Sequence, residues 1–136
     1  MPVTDAIEYE RVWVEGLNRG DTSVADQSFA QDCIIHISGV PQPIRGVGAW
    51  RELLQGFLTA FPDLTFTIED HIVDGDRVAM RWRAHGTHLG PLGPIPPTKR
   101  PVAIDGLIVD HLEDGKVRER WEQYDYAAMM QQLGVM

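Results

Sequence analysis

A chain of 136 residues, 43% hydrophobic and 24% charged, suits one domain with one core, and this composition excludes a disordered protein. Its 12 basic and 20 acidic residues give a formal net charge of −8, which argues against nucleic acid or an anionic membrane as a partner. We predict one domain over residues 1–136. We expect it in the cytoplasm, since the sequence shows neither a signal-peptide pattern nor an apolar run long enough to span a bilayer.

The first half of the chain predicts helices. Apolar residues recur at helical spacing from Tyr9 to Leu17, and again from Trp50 to Phe61, where Pro62 follows. A short helix is expected over residues 23–30 and a short strand over residues 33–38.

The second half predicts strands joined by short turns. Residues 64–69 alternate between apolar and polar, and an Asp74-Gly75 turn leads into a strand over residues 77–88. After a loop rich in glycine and proline, a nearly continuous apolar strand covers residues 102–111. An Asp114-Gly115 turn then leads into the last strand. Helices followed by such a meander predict an α+β domain with helices on one face of a curved sheet. The open mouth of that cone is a favoured place for a small-molecule pocket.

The last strand ends in a carboxylate on a face that the alternation predicts to be buried. Strict alternation places Val117, Glu119, Trp121, Gln123 and Asp125 on that face. Two interpretations of Asp125 remain open. It is a base inside an apolar cone, where desolvation raises its pKa, or it caps the turn after the strand.

Histidines supply the other candidate groups. His88 lies on the apolar side of its strand and is interpreted either as a group that polarises a substrate carbonyl or as an exposed strand-end histidine. His36 either faces inward or is a structural, hydrogen-bonded residue. The five histidines form no metal-binding pattern and Cys33 is the only cysteine, so we expect no metal. Residues predicted to line the cone are Trp13, His36, Trp50, Phe57, Trp82, Trp121 and Gln123.

Six short segments carry a resemblance over about residues 21–134. They are Phe61-Pro62-Asp63-Leu64, Gly75-Asp76-Arg77-Val78, Gly86-Thr87-His88-Leu89-Gly90, Pro96-Pro97-Thr98, Asp114-Gly115-Lys116-Val117, and Trp121 with Asp125 and Gln132-Leu133-Gly134. In this order they resemble the SnoaL-like polyketide cyclases. The resemblance implies the cystatin-like, nuclear-transport-factor-2-like α+β cone, with helices packed on a curved antiparallel sheet.

The resemblance also implies a chemistry. The characterised cyclases catalyse an intramolecular aldol condensation without metal, cofactor or Schiff base. Carried over, Asp125 would be the acid/base that removes a proton α to a carbonyl, and His88 would assist at the carbonyl. The segments that set the pocket's width do not match the cyclases closely, so the resemblance does not imply a particular substrate.

Three functional hypotheses stay open. The first is a cofactor-independent lyase or isomerase of the cyclase type. The second is an epoxide-hydrolase-like enzyme of the same fold, which needs an inward Arg81 or Arg83 flanked by Asp105 and Asp125. The third is a non-catalytic domain that binds a small molecule.

The predicted outer face of the sheet carries mixed charges. Arginines alternate there with Glu, Tyr and Thr, which favours a polar sheet-to-sheet homodimer. The arginines assigned to this face are Arg81, Arg83, Arg118 and Arg120.

Overall fold

The structure is a computed structural model that describes residues 3–136, with side chains from Glu8 onward. The helices are α1 (Val3–Asn18), α2 (Val24–Ser28), α3 (Val47–Ala60) and α4 (Tyr126–Leu133). The strands are β1 (Phe29–Ile37), β2 (Ile44–Arg45), β3 (Thr65–Asp74), β4 (Arg77–Thr87), β5 (Pro101–Glu113) and β6 (Lys116–Tyr124). Among the helices of the described chain, none is long and apolar enough to cross a membrane.

All six strands belong to one open sheet in the order β2-β1-β6-β5-β4-β3. The pairs from β3 to β6 form the predicted antiparallel meander. Strand β1 lies parallel to β6, so the sheet is mixed. The prediction of an α+β fold with helices ahead of a meander is confirmed, while the pairing of β1 with β6 was not predicted.

The long helices cover the inner face of the sheet with their apolar sides. Tyr9, Trp13 and Leu17 of α1 are buried together with Trp50 and Leu54 of α3 in one core. Both helices agree with the periodicity of the sequence. The inner face of β4 is buried at every second residue from Val78 to Gly86, again as alternation predicts.

One irregularity changes which side chains of β6 face inward. Val117 pairs with Leu112, whereas Glu119 pairs with His111, so β6 has one residue more than β5 between these pairs. Arg118 is the extra residue, and the arrangement is a β-bulge. Because a shift of one residue exchanges the two faces of a strand, strict alternation fails beyond this point.

The bulge reverses the predicted faces of the rest of β6. Arg120 is buried and Glu122 and Tyr124 are largely covered, whereas Trp121 and Gln123 are exposed. The prediction that Trp121 and Gln123 lie on the buried face is therefore wrong. The prediction that Arg120 belongs to the outer face is wrong for the same reason.

Candidate functional site

A cavity of about 170 Å³ lies between the helices and the inner face of the sheet. Its walls are mostly apolar, and its polar members include Arg120, Glu122 and Tyr124, all on β6. Four residues that the sequence analysis placed in the cone occur in this lining, namely Trp13, Trp50, Phe57 and Trp82.

Glu122 is the acidic group of this cavity. Its side chain is 15% exposed, and desolvation raises the pKa of its carboxyl group above the ordinary 4.5. The neighbouring Arg120 guanidinium, 3.5 Å away between Nη1 and Oε1, opposes this shift. A carboxyl group whose pKa is raised above its ordinary value is a stronger base when it ionises. Sequence alternation missed Glu122 because it assigned this residue to the solvent face.

Arg120 is held by a buried ion pair. Its Nε and Nη2 donate to Oδ1 and Oδ2 of Asp110 at 2.7 and 2.8 Å, and both side chains are at most 1% exposed. The Tyr9 hydroxyl also donates to Asp110 Oδ2, at 2.7 Å. The guanidinium lies over the rings of Trp13, Phe29 and Trp50, at 4.8–6.0 Å from their centroids. These contacts fix a positive charge next to Glu122.

Tyr124 is part of the lining of the cavity. Burial, together with the charge of Glu122, raises the pKa of Tyr124 to about 12. The phenol therefore stays protonated at neutral pH and can donate a hydrogen bond to a ligand oxygen.

Asp125 is exposed and does not line the cavity. It is the N-cap of α4, where its Oδ1 accepts a hydrogen bond of 2.9 Å from the backbone N–H of Ala128. Of the two interpretations of Asp125, the geometry agrees with the cap, because the expected position inside an apolar cone is not the one that it occupies.

Replacing Asp125 with alanine should lower the free energy of unfolding by about 0.5–2 kcal/mol, the usual cost of losing an N-cap. Asparagine at this position keeps an acceptor and should be nearly neutral. Urea unfolding followed by tryptophan fluorescence measures both changes. Equal losses for alanine and asparagine would show that the cap does not account for the effect.

His88 is fully buried but does not line the cavity. Its Nδ1 accepts from the backbone N–H of Thr98 at 3.1 Å and lies 3.0 Å from the Thr98 hydroxyl. Its backbone exchanges hydrogen bonds with Arg100 and Lys99. His88 thus connects the end of β4 to the following loop by hydrogen bonds. The structure does not bring it together with Asp125 in a common cavity.

His36 faces outward, so the prediction that it lines the cone is wrong. Its Nε2 lies 2.6 Å from Oε2 of Glu119, and its ring stacks on that of Trp121 with centroids 5.3 Å apart. His36 faces outward because it alternates with the buried Ile35 and Ile37, and Glu119 and Trp121 lie on the same face of the sheet beyond the bulge.

The family model described as SnoaL-like polyketide cyclase matches residues 7–133. The chain belongs to this family. A comparison with curated proteins found no match.

Several solved structures are similar to this SnoaL-like chain over most of its length. IdmH, a proposed polyketide cyclase from Streptomyces antibioticus, is 32% identical with a TM-score of 0.81, covering 94% of this chain and 97% of IdmH. AclR, a proposed hydroxylase from Streptomyces galilaeus, is 26% identical with a TM-score of 0.82, and the match covers 96% of this chain and 83% of AclR. TsrD from Streptomyces laurentii shares the fold with a TM-score of 0.90 at 22% identity, covering 100% and 99%. The expected nuclear-transport-factor-2-like cone is thereby confirmed.

The structure of this SnoaL-like protein does not support the epoxide-hydrolase alternative, because the residues that it requires do not face the cavity. The set it required is exposed throughout and comprises Arg81, Arg83, Asp105 and Asp125. Asp110 and Glu122 do flank Arg120, but Asp110 is fully buried and does not line the cavity. Among the side chains described from Glu8 to Met136, no group of three or more His, Cys, Asp or Glu residues is placed to hold a metal ion.

Glu122→Gln should make the SnoaL-like domain more stable than the wild type as the pH rises above 4.5. The folded state raises the pKa of Glu122 from 4.5, so its contribution is fully present below pH 4.5 and is lost as the pH rises through the folded pKa. Glutamine cannot ionise and avoids this loss. Urea unfolding at several pH values measures the difference, and a difference that stays constant with pH would contradict the expectation.

Proposed function

We propose that this protein is a cofactor-independent enzyme in which Glu122 removes a proton α to a carbonyl group of a small substrate, in aldol-type chemistry of the cyclase kind. The observation that carries the proposal is the position of Glu122. Among the described residues, it is the only carboxylate in the lining of the apolar cavity. The proposed base is thus Glu122 rather than Asp125.

The neighbours of Glu122 have roles that follow from their charge and protonation. When the carboxylate takes the α-proton, the C–H electron pair moves into the substrate and leaves an enolate oxygen. Glu122 is neutral once it holds the proton, so the Arg120 guanidinium and the Tyr124 hydroxyl can stabilise that oxygen by donating hydrogen bonds in a site that excludes most water. The enolate carbon then attacks a second carbonyl of the same molecule, and Glu122 returns its proton to the new alkoxide.

Exchange of α-protons for deuterium tests this step without knowledge of the natural product. Carbonyl compounds are incubated in D₂O with wild type, Glu122→Gln and Asp125→Asn, and exchange is followed by proton NMR. Loss of one general base typically costs a factor of about 10²–10⁴. We expect that loss for Glu122→Gln and near wild-type exchange for Asp125→Asn. The reverse order would return the role of base to Asp125. No exchange by the wild type or by either variant would favour the non-catalytic binding domain.

A homodimer through the outer face of the sheet is also proposed. Leu107, Val109 and Trp121 are 60%, 40% and 38% exposed, and Val109 pairs with Trp121 on adjacent strands. A contiguous exposed apolar patch on a sheet face is typical of an interface, and a second copy of the chain is the simplest partner for it. The patch makes this interface less polar than the sequence predicted.

Light scattering of the wild type at micromolar concentration should therefore give twice the mass of the chain. Val109→Lys places a charge in the middle of the patch and should yield a monomer. Ala103→Lys, also exposed on β5, is the matched control and should remain dimeric. A wild-type monomer would reject this interface.

A further inference from the structure

We infer that the cavity accepts a neutral ketone with one ring or two fused rings rather than a ligand with three or more rings. This inference rests on the proposed function and names its substrate class. The volume is the first argument. Pockets for drug-sized ligands measure about 300–1,000 Å³, whereas this cavity has about 170 Å³. An apolar cavity of about 150 Å³ holds benzene.

The walls of the cavity leave little room for expansion. Trp13 stacks on Trp50 with centroids 6.1 Å apart, and Trp82 stacks on Phe66 at 5.1 Å. Trp82 also lies against the backbone of Gly106, where an added Cβ would stand 2.6 Å from the indole ring. All three indoles are at most 5% exposed. Because such close-packed aromatic side chains cannot change rotamer independently, the volume is a property of the folded core.

The charges of the cavity determine the charge of the ligand. Arg120 is neutralised by Asp110 through two hydrogen bonds of 2.7 and 2.8 Å. Ionised Glu122 therefore leaves the polar end of the cavity with a net negative charge. The remaining titratable residues among the described lining are Tyr124 and His85. An anionic ligand would be repelled there, whereas a neutral carbonyl can accept from Tyr124 and Arg120.

Quenching of tryptophan fluorescence measures binding, since three indoles line the cavity. The probes are 1-tetralone, its three-ring benzo-fused homologue, and 2-naphthoate as an anion with two rings. We expect 1-tetralone to bind wild type at least about tenfold more tightly than either of the others. Equal or tighter binding of the three-ring ketone or of naphthoate, or no binding of 1-tetralone, would overturn the inference.

Two variants separate the arguments. Phe57→Leu enlarges the cavity from α3 and should reduce the preference against three rings while leaving the preference against naphthoate. Glu122→Gln should reduce the preference against naphthoate while leaving the preference against three rings. If 1-tetralone binds wild type and Glu122→Gln alike but wild type exchanges no α-proton of any ketone, the proposed function fails while the inferred ligand class stands. The reverse pattern, exchange on larger ketones only, overturns the ligand class alone.

Discussion

Replacing Asp110 with alanine is expected to lower the free energy of unfolding by about 3–5 kcal/mol, because it leaves the Arg120 guanidinium buried without its partner. Both side chains of the pair are at most 1% exposed, and the Tyr9 hydroxyl loses its acceptor in the same substitution. A domain of ordinary stability has about 5–15 kcal/mol in total. Urea unfolding followed by tryptophan fluorescence should therefore show a greatly reduced midpoint or a protein unfolded without urea.

An exposed ion pair of the same chain is the matched control. Arg51 and Asp26 are joined at 2.8 Å, but their side chains are 40% and 50% exposed. Asp26→Ala should change stability by less than about 1 kcal/mol, because water screens the pair. The double variant Asp110→Ala with Arg120→Met should recover much of the loss, since it removes the stranded charge. A loss for Asp110→Ala no larger than that for Asp26→Ala would contradict this account of the buried pair.

Gly90→Ala should also be strongly destabilising, by about 1–3 kcal/mol or more. A Cβ at this position would overlap the backbone carbonyl of Thr59 in the last turn of α3. The backbone N–H groups of Leu89 and Gly90 both donate to the carbonyl of Ala60, at 2.9 and 3.1 Å. The loop therefore packs its backbone directly on the end of the helix, and a side chain there must displace that contact.

Gly56 provides the control for this substitution. It lies within α3, and a Cβ added there meets nothing within 4 Å. Gly56→Ala should therefore stabilise the protein by about 0.4–1 kcal/mol, because alanine reduces the entropy of the unfolded chain. Thermal unfolding of the two variants measures shifts of opposite sign. Two destabilising shifts of similar size would mean that backbone packing at Gly90 is not the cause.

Gly90 also shows what the Gly-x-His-x-Gly segment does in the fold. Gly86 and Gly90 allow close approach to residues near the end of α3, and His88 is hydrogen-bonded to Thr98. The sequence presents the histidine of this segment as a candidate for chemistry. Its contacts in the structure instead join β4, the following loop and α3.

Periodicity predicted the elements well because most side chains follow one pattern over many residues. The helical spacing of α1 and α3 and the alternation of β4 each record a single burial face, and turns such as Asp114-Gly115 mark the ends of strands. These features were sufficient for the α+β fold and for four of the residues in the cavity wall.

The site itself depended on a feature that the pattern does not record. A single bulge at Arg118 exchanges the faces of β6, so Glu122 enters the cavity and Trp121 leaves it. The sequence around the bulge alternates arginine with glutamate, which favours neither face. Only the pairing with β5, a contact distant in sequence, determines which residue is extra.

Asp125 was misplaced for a related reason. Alternation predicts Asp125 as the last residue of a strand, whereas Tyr126–Leu133 forms a helix that the pattern does not predict. The signals were present, since aspartate is a favoured N-cap and Gly134 follows in a left-handed conformation with φ of 77°. Recognising this helix would have decided between the two interpretations of Asp125 in favour of the cap.

The most direct test of the account is the titration of Glu122 by carboxyl-carbon NMR, with Glu122→Gln to assign the signal. Desolvation in the cavity is expected to place its pKa above 4.5 in the folded protein, and a neutral ring ketone in the cavity should raise it further by excluding water. A pKa at or below 4.5 would show a solvated or fully ion-paired carboxylate. Glu122 would then not be the base, and the assignment of the site would fail with it.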